Sequence, residues 1–370
     1  MSLADDVSAI GGMIGRNPRV ALDLMPSAVA GYVLNGGKSN TLKIASGHEV
    51  FYDWPYENTG NPEFKKLYRR AYKAQWDAED LPWTANVDTA NLEKPIFPEK
   101  FVPGFGESFY PKDKSKREEI VHSTISWMLS QFLHGEQGAL YIAGETVEAT
   151  PWFDAKLYGS TQVVDEGRHV EVFSKYLLTK LKKLYHVNDN LFVILRSITA
   201  GSDWDLKFLG MQIMIEGLAL GAFGMIYKHT HEPLLKELLK LVIADEARHV
   251  HYGVVALRDY FTKEISESKR RDREDWAYEV SVLLRNRFQF MEIYEEYFAH
   301  GISRNAWLKM VDTSEIMQDF RTQLFTRMVP NLKEIGLLSD RIRPKYEQLG
   351  ILKFEHGKSA NHLTAEDLIR

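Results

Sequence analysis

Residues 165–169, Asp165-Glu166-Gly167-Arg168-His169, recur almost unchanged at 245–249 as Asp245-Glu246-Ala247-Arg248-His249. Both copies sit inside long stretches of helical periodicity. On a helix, positions three apart share a face with Cβ atoms about 5–6 Å apart, so each Glu–His pair can hold one metal ion. Another mid-helix glutamate stands thirty residues before each motif glutamate, Glu136 before Glu166 and Glu216 before Glu246. A lone Glu-x-x-His is usually a solvated face. Glu136 and Glu216 are harder to dismiss, because both lie in apolar stretches where an unpaired charge is costly. Four carboxylates would neutralise two divalent ions, and two imidazoles add softer ligands that suit a transition metal over calcium or magnesium. The other nitrogen of a metal-bound imidazole normally donates to an acceptor. Asp165 and Asp245 are placed to serve the histidine of the opposite motif, with Arg168 and Arg248 holding the aspartates; four surface ion pairs are the alternative. His134, Glu171 and His251 lie two positions from a ligand and are expected to face outward.

Working outward, helices are expected at about 116–148, 152–185, 203–229, 233–263, 271–300 and 315–329. The first four, joined by fairly short connections, are what an antiparallel bundle requires. The segment 208–227 is apolar apart from Gln212 and Glu216 and has the length of a membrane span, but reads better as a central buried helix. Before residue 115 the chain changes character. Nine prolines from Pro18 to Pro111 argue for short elements, with a helix over 61–78 and a β-hairpin from Thr41–Ile44 and Val50–Asp53. The expected organisation is an irregular N-terminal segment (1–115), a four-helix core (116–265), accessory helices (266–330) and a C-terminal tail (331–370).

Composition narrows the chemistry. The 370 residues carry a net charge of -5 with no basic stripe, which argues against a nucleic-acid partner. With no cysteine, the chain can form neither disulfides nor thiolate-bound zinc, haem or iron–sulfur clusters. The first residues hold Asp5 and Asp6 where a secretory signal would be basic, so the reading is a cytoplasmic protein that does not span a membrane.

Two lone glutamates plus two Glu-x-x-His pairs resemble the ligand inventory of the ferritin-like di-iron and di-manganese carboxylate proteins. The doubled Asp-Glu-x-Arg-His motif is similar to their oxygenase branch, which includes bacterial multicomponent monooxygenase hydroxylases, acyl carrier protein desaturases and the ribonucleotide reductase small subunit. Gln75-Trp76-Asp77-Ala78-Glu79-Asp80 also looks like the segment that often precedes the bundle in such proteins. The resemblance implies an all-α, ferritin-like four-helix bundle with additional helices. It implies two iron ions, or a manganese–iron pair, with Glu136 and His169 on one ion, Glu216 and His249 on the other, and Glu166 and Glu246 bridging.

Departures narrow the choice. Where the reductase subunit carries its radical tyrosine this chain has Phe173; where arylamine N-oxygenases add a histidine it has Val242. The cross-linked valine and tyrosine of the ligand-binding oxidases are replaced by Gly138 and Met211, and desaturases usually lack the first-motif aspartate. The hydroxylases fit best, so the expected function is a monooxygenase using dioxygen on a small organic substrate. Electrons would come from an outside ferredoxin or reductase. Desaturation, a radical-generating subunit, and iron storage or ferroxidase activity remain alternatives.

Ala219, Leu220 and Phe223 continue the Glu216 face and, with Phe173, are expected to line the substrate cavity. Gly217, Gly221 and Gly224 form a separate stripe, read as a close helix approach. The aromatic-rich stretch Trp276–Phe298 is either a homodimer surface or an ordinary core face.

Overall fold

The computed structural model describes residues 3–39, 41–364 and 367, and every regular element among them is helical. The all-α expectation holds. The chain opens with α1 (Leu3–Arg16) and α2 (Pro18–Ala28), followed by α3 (Pro62–Lys73). Then come the long helices α4 (Lys114–Ala149) and α5 (Phe153–Tyr176), and the shorter α6 (Asp189–Ala200) and α7 (Trp204–Phe208). A π-helical stretch, Leu209–Ile215, carries α7 into α8 (Glu216–His229), which precedes α9 (Pro233–Asp259) and α10 (Glu267–Arg287).

Residues 150–152 connect α4 to α5, and residues 230–232 connect α8 to α9; connections this short make antiparallel neighbours of each pair. Their ends are capped as the sequence requires. Asp113 accepts from Lys116 N at 3.0 Å to start α4, and Glu232 accepts from Leu234 N and Leu235 N at 3.0 and 2.6 Å to start α9 ahead of Pro233. Helix α5 packs on α9, and α3 packs on both. Val172, Leu218, Val242 and Ile243 are fully buried, each such side chain contributing about 1.5–3 kcal/mol of burial free energy.

The N-terminal segment departs from expectation in three places. Helices α1 and α2 form despite the prolines, because Pro18 occupies the first turn of α2, where no amide hydrogen is needed, and Asn17 caps it by accepting from Val20 N at 3.3 Å. No hairpin forms at 41–53. Phe51 N instead donates to the Glu148 carbonyl at 3.1 Å, and His48 Nε2 lies 2.8 Å from Glu148 Oε2, so this strip lies on the end of α4 rather than on itself. Helix α3 stops at Lys73, before the expected end, and the turn after it aims Gln75 and Trp76 at the bundle.

The apolar Trp204–His229 helix passes the length and composition test for a membrane span, and 78% of its most apolar window is buried inside the protein. The expected 271–300 helix is broken after Arg287, where Phe290 adopts a left-handed backbone (φ 52°). Aromatic packing holds that turn: the Phe290 ring sits 4.6 Å from Trp127 and 6.0 Å from both Phe288 and Phe320. That contact offsets the left-handed cost of about 1–2 kcal/mol. Trp276, Phe288, Phe290 and Phe298 are all core residues of this chain. Asp189–Ala200 is a helix that periodicity alone passed over.

The glycine stripe on α8 has two explanations along its length. A Cβ at Gly217 would come 3.3 Å from Met328 Cα, and one at Gly221 would run into the Leu324 carbonyl, so close approach of the 324–328 segment requires both. At Gly224 the space is open. Gly221→Ala should therefore destabilise the fold by roughly 1–3 kcal/mol. Gly224→Ala should be neutral or stabilising by up to about 1 kcal/mol. Denaturant melts of the two variants would check the contrast, and equal destabilisation would contradict the packing.

Candidate metal centre

Glu136 comes from the middle of α4, Glu166 and His169 from α5, Glu216 from the first position of α8, and Glu246 and His249 from α9. All six are buried, and their ligand atoms converge. Glu136, Glu166, His169 and Glu246 offer atoms within 4.8 Å of one another, as do Glu166, Glu216 and His249. Glu166 belongs to both groups. Its Oε1 lies 3.0 Å from His249 Nδ1 and its Oε2 3.5 Å from His169 Nδ1. Glu246 spans the same pair, 3.1 Å from His169 Nδ1 and 3.7 Å from His249 Nδ1. Glu136 Oε2 is 3.2 Å from His169 Nδ1. The π-helical stretch that ends at Ile215 sets the rotation with which Glu216 meets this group, a common use of such bulges.

Both Nδ1 atoms face the carboxylates, so both Nε2 atoms face the aspartates, and the aspartates cross. His169 Nε2 is 3.2 Å from Asp245 Oδ2, and His249 Nε2 is 3.3 Å from Asp165 Oδ2. Arg168 donates to Asp165 at 2.5 Å and to Asp245 at 3.1 Å; Arg248 donates to Asp245 and, at 3.4 Å, to Asp165. Asp165, Asp245 and Arg168 are buried and Arg248 is half-buried, so these are not surface ion pairs. From the N-terminal segment, Gln75 Nε2 donates to Asp165 Oδ1 at 2.9 Å, Trp76 Nε1 donates to Asp245 Oδ2 at 2.8 Å, and the Arg168 guanidinium lies 4.5 Å over the Trp76 ring.

Sequence reasoning missed two glutamines here. Gln162 Nε2 donates to Glu166 Oε1 at 3.0 Å and Glu216 Oε1 at 2.9 Å, while Gln212 Nε2 donates to Gln162 Oε1 at 3.3 Å. Each lies four residues before a site glutamate, so the spacing that finds the histidines also reaches these.

The electrostatics are those of a site built for cations. Burial, together with the neighbouring Glu246, raises Glu136 well above the carboxylate range; burial, Glu166 and Glu246 do the same to Glu216. Burial opposes charge on both imidazoles, yet the surrounding carboxylates hold His169 and His249 well above the ordinary histidine range. Glu166 Oε2, Glu216 Oε2, both Glu246 oxygens and His249 Nδ1 are buried and make no aligned hydrogen bond, although His249 Nδ1 and Glu246 lie within 3.0 and 3.1 Å of Glu166 and His169. Such a set of orphaned donor atoms, oxygen and imidazole nitrogen only, fits hard or borderline divalent ions. The buried Glu/His groups can hold metal.

A cavity of about 20 Å³ adjoins the site, walled by Glu136, Glu216, Glu246, Ala219, Phe132 and Arg287 among others. Of the four expected lining residues only Ala219 is on it. Leu220 borders a separate surface cleft, while Phe223 and Phe173 stack on each other (5.6 Å) and meet Phe132 edge-on (4.6 Å) and tilted (6.1 Å), packed together as core. His134 turns away from the site to the Tyr185 carbonyl (2.8 Å), Glu171 is exposed, and His251 lies beside Glu63 and Arg258.

Cation binding requires deprotonated ligands, and Glu136, Glu216, His169 and His249 all hold protons more firmly than usual. Loading should therefore release protons, and apparent affinity should rise with pH through and above the ordinary histidine range, because all four groups must lose protons to bind a cation. Titration of Mn(II) into weakly buffered protein should acidify it; no proton release and a flat pH dependence would contradict the arrangement. No protein-family model, curated protein or solved structure matched the chain when compared.

Proposed function

We propose that the protein is a dioxygen-activating di-iron oxygenase built on a ferritin-like four-helix bundle, inserting one oxygen atom into a small organic substrate. The observation that carries this reading is the position of Glu166 and Glu246, each with its two oxygens directed at different histidines. That is the disposition of bridging carboxylates between two metal positions. Glu136 and His169 would hold one ion, Glu216 and His249 the other. A manganese–iron pair would use the same ligands.

Two ferrous ions held by these residues would supply the redox and Lewis-acid chemistry that dioxygen reduction needs, with the net electrons coming from outside the chain. The overall reaction consumes a substrate C–H, one O2, two electrons and two protons, and yields C–OH and water. The chain contributes position and exclusion of water. Asp245 and Asp165 fix the imidazoles through Nε2, Gln162 ties Glu166 to Glu216, and Phe132, Ile215 and Ala219 form the apolar part of the wall of the adjoining cavity. Without cysteine the chain has no iron–sulfur relay of its own, so a ferredoxin or reductase partner supplies the electrons.

His249→Ala should lose at least one metal and all oxygen consumption while remaining helical, whereas His251→Ala should keep both properties. Labelled dioxygen with a reducing partner should place one label atom in an organic product. Oxygen consumed only in oxidising iron, with a mineral core retained and no organic product, would replace this reading with storage.

A further inference from the structure

Arg287 ends α10 just before the Phe288–Phe290 turn and lines the cavity that touches Glu136, Glu216 and Glu246. Only 4% of it is exposed. Its guanidinium lies 4.7 Å over the Phe288 ring, but its Nε has no hydrogen-bond partner and among the described residues it makes no ion pair with a carboxylate. Burial alone pushes it down to about 9, with no neighbouring charge acting in either direction. Nearby polar groups are committed elsewhere. Gln131, on the same cavity wall, donates to the His186 carbonyl and accepts from Asn188 N. Glu292, half-buried five residues further on, accepts from Asn188 and Trp127.

The charges around the centre balance without Arg287. Four glutamates match two divalent ions, and Asp165 and Asp245 match Arg168 and Arg248. One buried cation is left over. A guanidinium in the interior with an aromatic ring but no anion against it is costly, and its planar fork matches a carboxylate. On the oxygenase reading above, we propose that Arg287 anchors the carboxylate of the substrate, so that this enzyme acts on a small organic acid rather than a neutral hydrocarbon. The cavity sets the scale: about 20 Å³ is room for one or two water-sized groups, which a carboxylate's oxygens would displace. Bound to Arg287, the carboxylate would sit in the same small cavity whose wall includes Glu136, Glu216 and Glu246.

The test is calorimetric titration of the full chain, anaerobically loaded with iron(II), with formate and with its neutral isostere formamide. Metal content is measured in each sample. Formate should bind and formamide should not; Arg287→Met should weaken formate at least tenfold at unchanged metal content. Arg287→Lys, which keeps the cation, should bind formate better than Arg287→Met. Equal binding of formate and formamide, or formate bound by Arg287→Met as tightly as by the native chain, would overturn the anchor and leave the metal reading standing. A chain that takes up no metal would remove the oxygenase reading instead. The same titration on that metal-free chain would then retain the anchor if formate binding depends on Arg287, and overturn it otherwise.

Discussion

Four glutamates are held against one another in the interior, and that repulsion is the constraint around which the rest of the structure is arranged. Carboxylates buried in apolar surroundings cannot all stay charged unless positive charge is brought to them. In the protein alone, protons do this: Glu136, Glu216, His169 and His249 are all driven toward their protonated forms. Cations in place of those protons would satisfy the same oxygens and free the imidazole nitrogens to act as ligands. Exchange of those protons for cations would therefore be coupled to pH.

Around it lies a second set of charges that is already balanced. The crossed pairing of Asp165 with His249 and Asp245 with His169 locks α5 to α9, and the two arginines close the square. Gln75 and Trp76 then fasten the N-terminal segment onto that square. Truncating either aspartate would strand several buried donors at once, a larger loss than any single hydrogen bond of about 1 kcal/mol. The first part of the chain is in this sense part of the site, although it offers no residue to the metal positions.

What the sequence made legible was whatever repeats with the helical period. The doubled motif and the glutamates thirty residues upstream predicted six residues that the structure brings together, and the need of each imidazole for a second acceptor predicted the crossed aspartates. Contacts made between segments distant in sequence were not legible. Trp76 reaches Asp245 across 169 positions through a turn that no periodicity encodes. The break at Phe290 depends on rings from α4 and from Phe320, and the prolines of α2 were read as breakers although Pro18 stands where a helix tolerates one. The cavity was expected on the correct side of α8, at Ala219, but its size was set by Phe132, Phe173 and Phe223 packing together, which depends on three helices at once. Arg287 carries no local signal at all, since an arginine near a helix C-terminus is ordinarily a solvated partner for the dipole.

The central claim is that these six side chains form one site for two metal ions. Crystals of iron-loaded protein, with anomalous diffraction recorded at the iron edge, address it directly. The account predicts two anomalous peaks per chain, one against Glu136 and His169 and one against Glu216 and His249, with Glu166 and Glu246 between them. A single peak, or none, in protein whose helices are intact would contradict it.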